Sequence, residues 1–433
     1  MIWNPEYETM ERGALRDLQL RRLQATVAWV YDRVPFYREQ LDGRGVKPKA
    51  IRSLADVGLL PFTDKTALRD TYPFGMFAVP VDQVVRIQSS SGTTGKPIVV
   101  GYTRGDLNTW TDCTARVAAA AGITHADLVQ MAFLYGMFTG GWGMHYGVER
   151  IGATVIPAGS GNTERHIMMM QDFGTTALVS TPTYALYMAE VGASLGVDWE
   201  KLPLRVGLFG GEPSGEGMRR EIEARMHIRA TDNYGLTEVM GPGVAGECEC
   251  QCGLHLAEDN LLCEIVDPVT GEPKGPGEEG ELVITTLTKE AFPVLRYRTH
   301  DLTVLDESAC ECGRTLARMR KVRQRTDDML IVRGVNLFPS QVEDVLLQVE
   351  GVQPHYLIVL DREHGMDRLE IKIEVGQEVF SELMADMVAF TSSVSDRLTS
   401  VLGIRPKVTL VEPGTLERSA GKAKRVLDRR EMD

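Results

Sequence analysis

From residue 84 to residue 234, short apolar runs and longer amphipathic runs take turns along the chain, and no other feature narrows the fold as far. The runs LVQMAFL, ATVIP, TALVST, VGLFG and IRATDNY have the length and near-continuous apolar character of strands covered on both faces. Residues 103–121 and the stretches PTYALYMAEVGASL and GEGMRREIEARM have helical spacing and lie between some of those runs. Strands separated by helices must cross over and run parallel, so the expected class is α/β with a largely parallel sheet. Residues 14–31, with Leu15, Leu18, Leu23, Val27 and Val30 on one stripe, predict a surface helix packed on a core. Between residues 247 and 306 the pattern turns strand-rich and turn-rich (VDPVTGEPKGPGEEGELVITTL), predicting an antiparallel or barrel-like subdomain. It changes again near Arg325. A strand MLIVRG precedes a helix opening at Ser340, with the Ser-x-x-Glu spacing of a capping box to Glu343. Strands HYLIVLD and RLEIKIEV, a helix from about 381 to 402 and a strand KVTLVE follow. The expected division is a large domain over 1–325 and a small α+β lobe over 326–433.

A chain of 433 residues with 43% hydrophobic and 25% charged residues can bury a large core in two or three domains. Lys and Arg number 47 against 60 Asp and Glu, a net charge of −13, which excludes the basic footprint of a dedicated nucleic-acid binder. No apolar run reaches the roughly 18 residues of a membrane span, so no membrane partner is expected. The first residues, MIWNPEYETMERG, lack the basic-then-apolar order of a secretory leader, and a cytoplasmic location is expected. Cys248, Cys250 and Cys252 form one tight cluster and Cys310 and Cys312 another, which in such a chain favours thiols or a metal over disulfides.

The densest local signal is Ser89-Ser90-Ser91-Gly92-Thr93-Thr94-Gly95-Lys96-Pro97. Its glycines let the backbone turn and present N–H groups, while hydroxyls and one ammonium add donors for phosphate oxygens. It is not a Walker A loop: only two residues separate Gly92 from Gly95-Lys96, and PIVV reads as a strand instead of a helix. Such a hairpin must grip phosphate through hydroxyls, amides and Lys96.

In these residues the chain resembles the adenylate-forming enzymes, the acyl-CoA synthetases and their relatives. Tyr234-Gly235-Leu236-Thr237-Glu238 matches their Tyr-Gly-x-Thr-Glu element, Tyr297-Arg298-Thr299-His300-Asp301 their Tyr-Arg-x-x-Asp element, Arg325-Thr326-Asp327-Asp328 their hinge, and Gly421-Lys422 their catalytic-lysine segment. Within that group the resemblance is closest to the phenylacetate-CoA ligase family, through VPFYRE, LPFTDKTALRDTYPFGMFA, YGMFTGGWGMHYGVERIGATVIP and DDMLIVRGVNLFPSQVE. It implies a large adenylate-forming domain, a small mobile lobe and an ATP- and CoA-dependent activation of an aromatic acid. Phenylacetate is the first candidate and benzoate-like acids are next. A homodimer is also implied.

The chemistry needs a clamp on the phosphates, a divalent cation and positive charge at the reacting oxygens, because a carboxylate expels hydroxide only at great cost. The resemblance implies Thr93, Thr94 and Lys96, with Ser90, Ser91, Gly92 and Gly95, on the β- and γ-phosphates. It implies Glu238 on Mg²⁺, Thr237 on the α-phosphate and Lys422 bridging the acid and the α-phosphate. Tyr234 would lie along adenine, Asp301 would accept from the ribose hydroxyls, and Arg325, Asn233 and Gly235 would face the nucleotide. Gly210, Gly211, Glu212 and Pro213 would leave room for the purine and the acyl ring. Tyr135 and Phe138, with Gly210 and Gly235, would border the ring, Asp327 would turn the hinge, and Gly334 would line the pantetheine channel. Thiolates and imidazole are the ligand set of tetrahedral Zn²⁺. By resemblance, the structural zinc ligands are Cys248, His255, Cys310 and Cys312, with Cys252 able to replace Cys248. Two other readings remain at this point: an adenylyltransferase that omits CoA, like the coenzyme F390 synthetases, and a non-enzymatic nucleotide-binding scaffold.

Overall fold

The structure, a computed structural model, describes residues 1–90, 97–322, 324–326, 328–363, 366–376, 384–418 and 423–430. After the N-terminal helices, among them Arg12–Arg33, comes a hairpin of β1 (Arg86–Ser89) and β2 (Val99–Tyr102), followed by β3 (Leu128–Met131), β4 (Thr154–Ile156), β5 (Ala177–Ser180), β6 (Val206–Gly210) and β7 (Arg229–Leu236). Next come β8 (Gly241–Glu247), β9 (Leu254–Leu256), β10 (Leu261–Val266), β11 (Gly280–Thr286), β12 (Tyr297–Thr303), β13 (Leu305–Asp306), β14 (Arg318–Met319) and β15 (Gln324–Arg325). The last part of the chain carries β16 (Leu330–Val332), β17 (Val335–Leu337), β18 (Val352–Glu363), β19 (Met366–Val375), β20 (Lys407–Val411) and β21 (Val426–Asp428).

Nine strands form the main sheet in the order β13-β14-β9-β8-β7-β6-β5-β3-β4. From β4 to β7 neighbours are parallel; β7-β8-β9-β14-β13 continue antiparallel. The reason the parallel strands read as unbroken apolar runs is visible in β5. Ala177 and Val179 join the core with Val206 and Leu208 under Ala115, Val117, Met144 and Val148 of the helices Arg104–Ala120 and Thr139–Arg150. Leu178 points to the other face, with Phe209, among Met170, Tyr184, Met188, Met218 and Ile222 of the helices Thr163–Phe173, Pro182–Ser194 and Glu216–Met226. Alternate side chains are thus buried on opposite faces, and neither face tolerates a polar residue without a partner. The barrel-like region is a second, antiparallel sheet, β10-β11-β12-β15.

The small lobe has a four-stranded sheet in the order β20-β19-β18-β21, with β20 and β21 parallel to their neighbours. Ile358, Leu360, Ile371 and Ile373 pack there on Val342 and Leu346 of the helix Pro339–Leu346 and on Val394 and Leu398 of the helix Met384–Leu402. One sequence expectation changes, and one strand appears that the sequence did not announce. The first helix opens at Pro339 rather than Ser340, because Pro suits the first helical position, and Gln341 Oε1 accepts the Phe338 N–H at 2.9 Å, displacing the Ser340–Glu343 box. The basic stretch at the C-terminal end is a strand in part, since β21 pairs Val426 with Ile358.

The N-terminal segment is stapled to the cysteine-bearing turn by a buried pair. Glu8 accepts the backbone N–H of Trp3 and Asn4 at 2.8 and 2.6 Å and Arg314 Nε at 2.6 Å, and its side chain is 1% exposed. Removing one partner of a buried pair leaves the other charge desolvated. Glu8→Ala should therefore cost about 3 kcal/mol, read as a lowered urea midpoint with an unchanged slope.

Candidate functional site

The site forms where β7 leaves the main sheet. Asn233 to Leu236 pair with β8 through a register shift between Tyr234 and Gly235. Close approach of the backbone requires the glycines here. A Cβ at Gly235 would lie 2.0 Å from the Gly241 carbonyl oxygen, and one at Gly210 would lie 2.4 Å from that of Asn233. Asn233 Oδ1 accepts the Gly243 N–H at 3.2 Å, holding the turn from the other side.

Tyr234 directs its hydroxyl to Asp301 Oδ2 at 2.5 Å, while Arg325 Nη1 donates to Oδ1 at 2.6 Å and Nη2 to the Thr299 carbonyl at 3.2 Å. Asp301 and Arg325 are direct partners across the β12–β15 ladder, so this contact follows from strand register. Burial first, then the Asp301 charge, pushes the Tyr234 phenol far above its ordinary range and keeps it a donor. Each carboxylate oxygen has two acceptor positions, so Asp301 can take a further hydroxyl beside these partners.

Thr237 and Glu238 follow in the turn, both buried. Thr237 Oγ1 meets Thr139 Oγ1 at 3.2 Å, at the first residue of the helix Thr139–Arg150. Glu238 faces Tyr297, whose phenol is raised well above its usual range by burial and then by the Glu238 charge. An oxygen donor in such a turn suits a hard cation, which prefers one or two carboxylates plus phosphate oxygens.

The β1–β2 hairpin closes at its neck: the Ser90 N–H donates to the Ile98 carbonyl and the Ile98 N–H to Ser90 Oγ, both at 3.0 Å. Ser91, Gly92, Thr93, Thr94, Gly95 and Lys96 lie outside the described residues, as do Asp327 and Lys422. The Ser89 N–H donates to the Met137 carbonyl at 2.8 Å, which ties the hairpin to the aromatic segment. There the Tyr135 hydroxyl meets His145 Nδ1 at 3.0 Å, His145 Nε2 meets Glu149 at 3.1 Å, and Phe138 covers Gly140.

Gly211, with φ +87°, ends β6 in the left-handed region and is followed by Glu212 and an exposed Pro213. Glu212 Oε1 accepts the Thr183 N–H at 2.9 Å and the Thr183 hydroxyl, and Oε2 accepts the Ala423 N–H at 2.9 Å. The residue after Lys422 is therefore docked on the large domain at the predicted pocket loop. Gly334 stands apart, in the turn between β16 and β17. Arg333 and Gly334 both have positive φ there, as a tight hairpin demands, and a Cβ at Gly334 would meet nothing within 4 Å.

At the far edge of the main sheet, Cys248, His255, Cys310 and Cys312 offer ligand atoms that all lie within 4.8 Å of one another. His255 Nδ1 lies 3.3 Å from the Leu316 carbonyl, which fixes the N–H there and turns the Nε2 lone pair toward Cys312 Sγ at 3.4 Å. Burial lowers the imidazole to about 4, keeping it neutral. Cys252 Sγ is also near, 3.5 Å from Cys310, but Arg318 Nη1 holds it at 2.8 Å. Among the four, sequence spacing had left Cys248 and Cys252 as alternatives; the gathered set contains Cys248.

Some contacts at the site had no sequence signal: Thr139 beneath Thr237, and Glu190 with His355 between the domains, 98 and 165 residues apart. A hydroxyl or carboxylate on an otherwise ordinary helix gives no local sign of a partner so distant in the chain.

A family model described as the AMP-binding enzyme matches residues 15–288, and a second, the AMP-binding enzyme C-terminal domain, matches 334–430. Fold and site together define an adenylate-forming enzyme of two domains. A phenylacetate-coenzyme A ligase of Thermus thermophilus is 48% identical over 99% of this chain and 100% of its own, and one of Escherichia coli is 46% identical over 100% and 99%. The chain belongs to the phenylacetate-coenzyme A ligase family. Among solved structures, 2-hydroxyisobutyryl-CoA ligase in its postadenylation state with R3-HIB-AMP superposes with a TM-score of 0.93 at 30% identity, covering 99% of this chain and 93% of that one. The same ligase with 2-HIB-AMP and CoA in its thioesterification state gives 0.73 at 31% identity, with the same coverage.

Gly235→Ala should destabilise the protein by about 3 kcal/mol and abolish nucleotide binding, since the added carbon collides with backbone rather than with a movable side chain. Titration calorimetry with AMP beside a denaturation curve reads both effects.

Proposed function

We propose that the protein joins an aromatic carboxylic acid, with phenylacetate first and benzoate-like acids next, to CoA at the expense of ATP. In the first half-reaction an acid oxygen attacks the α-phosphorus and the bond to pyrophosphate breaks. In the second, the CoA sulfur attacks the acyl carbon and AMP leaves, the thiol proton passing to solvent. The observation that carries this reading is the Tyr234–Asp301–Arg325 set, in a chain 45–48% identical nearly end to end to four phenylacetate-coenzyme A ligases. Those relatives all carry the CoA-ligase name, which does not favour the adenylyltransferase reading.

In this reading Asp301 accepts the ribose hydroxyls, Tyr234 backs the adenine, and Thr237 donates to the α-phosphate. Glu238 holds Mg²⁺, which neutralises phosphate charge when bound. The 91–96 loop takes the outer phosphates and Lys422 bridges the acid and the α-phosphate. Asp327 turns the hinge between domains divided at 325/326, Gly334 borders the pantetheine, and Tyr135 and Phe138 line the ring. ATP and CoA as co-substrates, together with free cysteines, fit a reducing cytoplasmic setting; a homodimer is read by sedimentation.

A pyrophosphate-release screen over aromatic acids, with and without CoA, tests the reading. Release should depend on phenylacetate, and AMP should accumulate only with CoA; AMP transfer to a deazaflavin instead would establish the alternative. Lys422→Ala should lower pyrophosphate formation about a thousandfold while sparing thioester synthesis from preformed acyl-adenylate. Equal loss of both steps would remove Lys422 from its role.

The cysteine set would hold a structural Zn²⁺, because three thiolates and a neutral, oriented imidazole fill a tetrahedron and leave no place for water. Purified protein should contain about one zinc per chain by metal analysis. After chelation, His255 makes stability pH-dependent in a defined window. The unfolded imidazole binds a proton below about 6.5 and the folded one only below about 4, so stability is full above 6.5 and falls as the pH drops toward 4, by about 3 kcal/mol. Urea midpoints across that range check it, and His255→Gln should flatten the slope.

A further inference from the structure

Glu190 sits on the helix Pro182–Ser194 of the large domain and is gripped from the small one. His355 Nε2, on β18, lies 2.5 Å from Oε1, and Arg418 Nη2 lies 3.5 Å from Oε2. Arg225 of the large domain adds a second guanidinium, at 3.8 Å from Oε1. Side-chain exposures of 22%, 9% and 17% for Glu190, His355 and Arg418 put this cluster well below the exposure at which ion pairs count for little.

Arg418 does not reach Glu190 as a loose chain end. The buried Glu374 accepts its guanidinium through both oxygens at 2.8 and 2.7 Å, and also takes the backbone N–H of Gly414 and Leu416 at 3.1 and 2.7 Å. Residues 414–418 are thus a preformed arm of the small lobe. Past the arm, the Ala423 N–H docks on Glu212, which is itself held by Thr183 in the first turn of the same helix. Thr183 and Glu190 are two turns apart, about 10 Å along the axis. One helix therefore anchors the chain directly at Arg418 and, through Glu212, at Ala423, on either side of Lys422. This arrangement occurs in a structure that matches the relative's postadenylation state at 0.93 and its thioesterification state at 0.73.

We propose that Glu190 is a positioning residue for the acid-activating half-reaction: it latches the lysine-bearing segment to the large domain, and the latch must open before the thioester forms. The proposal rests on the ligase reading above. It differs from the roles given to Lys422 and Glu212 in that Glu190 touches neither substrate nor nucleotide.

The test uses the full chain with Glu190→Ala and, from the opposite side of the contact, His355→Gln, so that the result does not hang on one variant folding. Acid-dependent ATP–pyrophosphate exchange should fall about tenfold in kcat, with the KM for ATP held. Thioester formation from preformed acyl-adenylate should stay level or rise, and Tm should move little. An equal fall in both half-reactions, or no change in either, overturns the latch. Absence of acid-dependent exchange in the unmutated protein would instead overturn the ligase reading itself, and the latch with it.

Discussion

The carboxylate of Asp301 holds together the three pieces of the site. It takes the Tyr234 hydroxyl from the end of a strand in the main sheet and the Arg325 guanidinium from the last strand before the small lobe, while sitting on the second sheet. A charge 1% exposed is stable only because both partners are hydrogen-bonded to it. Tyr234 stays protonated for the same reason, since a phenolate facing a buried carboxylate would be two like charges in a low dielectric. The junction between the domains is therefore tied directly to Tyr234 and Asp301.

Around that carboxylate the backbone is brought unusually close. Gly210 and Gly235 let β6, β7 and β8 pack without side chains between them, and Thr237 is backed by Thr139 at the head of a helix. Trp110 stacks on Tyr102 at 4.9 Å and donates to the Pro242 carbonyl at 2.8 Å, so the wall behind the turn is close-packed. The β1–β2 hairpin and the aromatic segment share the Ser89–Met137 bond, and in the ligase reading a shift of one reaches the other.

Much was legible locally. The apolar runs of β3, β5 and β6 mark covered parallel strands because neighbouring helices bury both faces. Less legible were elements whose partners lie far along the chain. β21 carried no strand signal of its own, because three residues gain strand character only when β18 supplies the ladder. The helix start at Pro339 was missed by one residue, where Gln341 outcompeted Glu343 for the cap.

What the sequence determined by itself is the inventory: an α/β chain with a hydroxyl- and glycine-rich loop, a Tyr-Gly-x-Thr-Glu element, a Gly-Lys pair at 421–422 and a set of thiols with a histidine. Each is a local run or is built from short local clusters, and short-range physics suffices to read those. Only the tertiary structure decided which groups meet. Tyr234 and Asp301 are 67 residues apart, Glu190 and His355 165, and Cys248 and Cys310 62. Such pairs depend on sheet order, strand register and the seating of one domain on the other, and residue spacing along the chain carries none of those three.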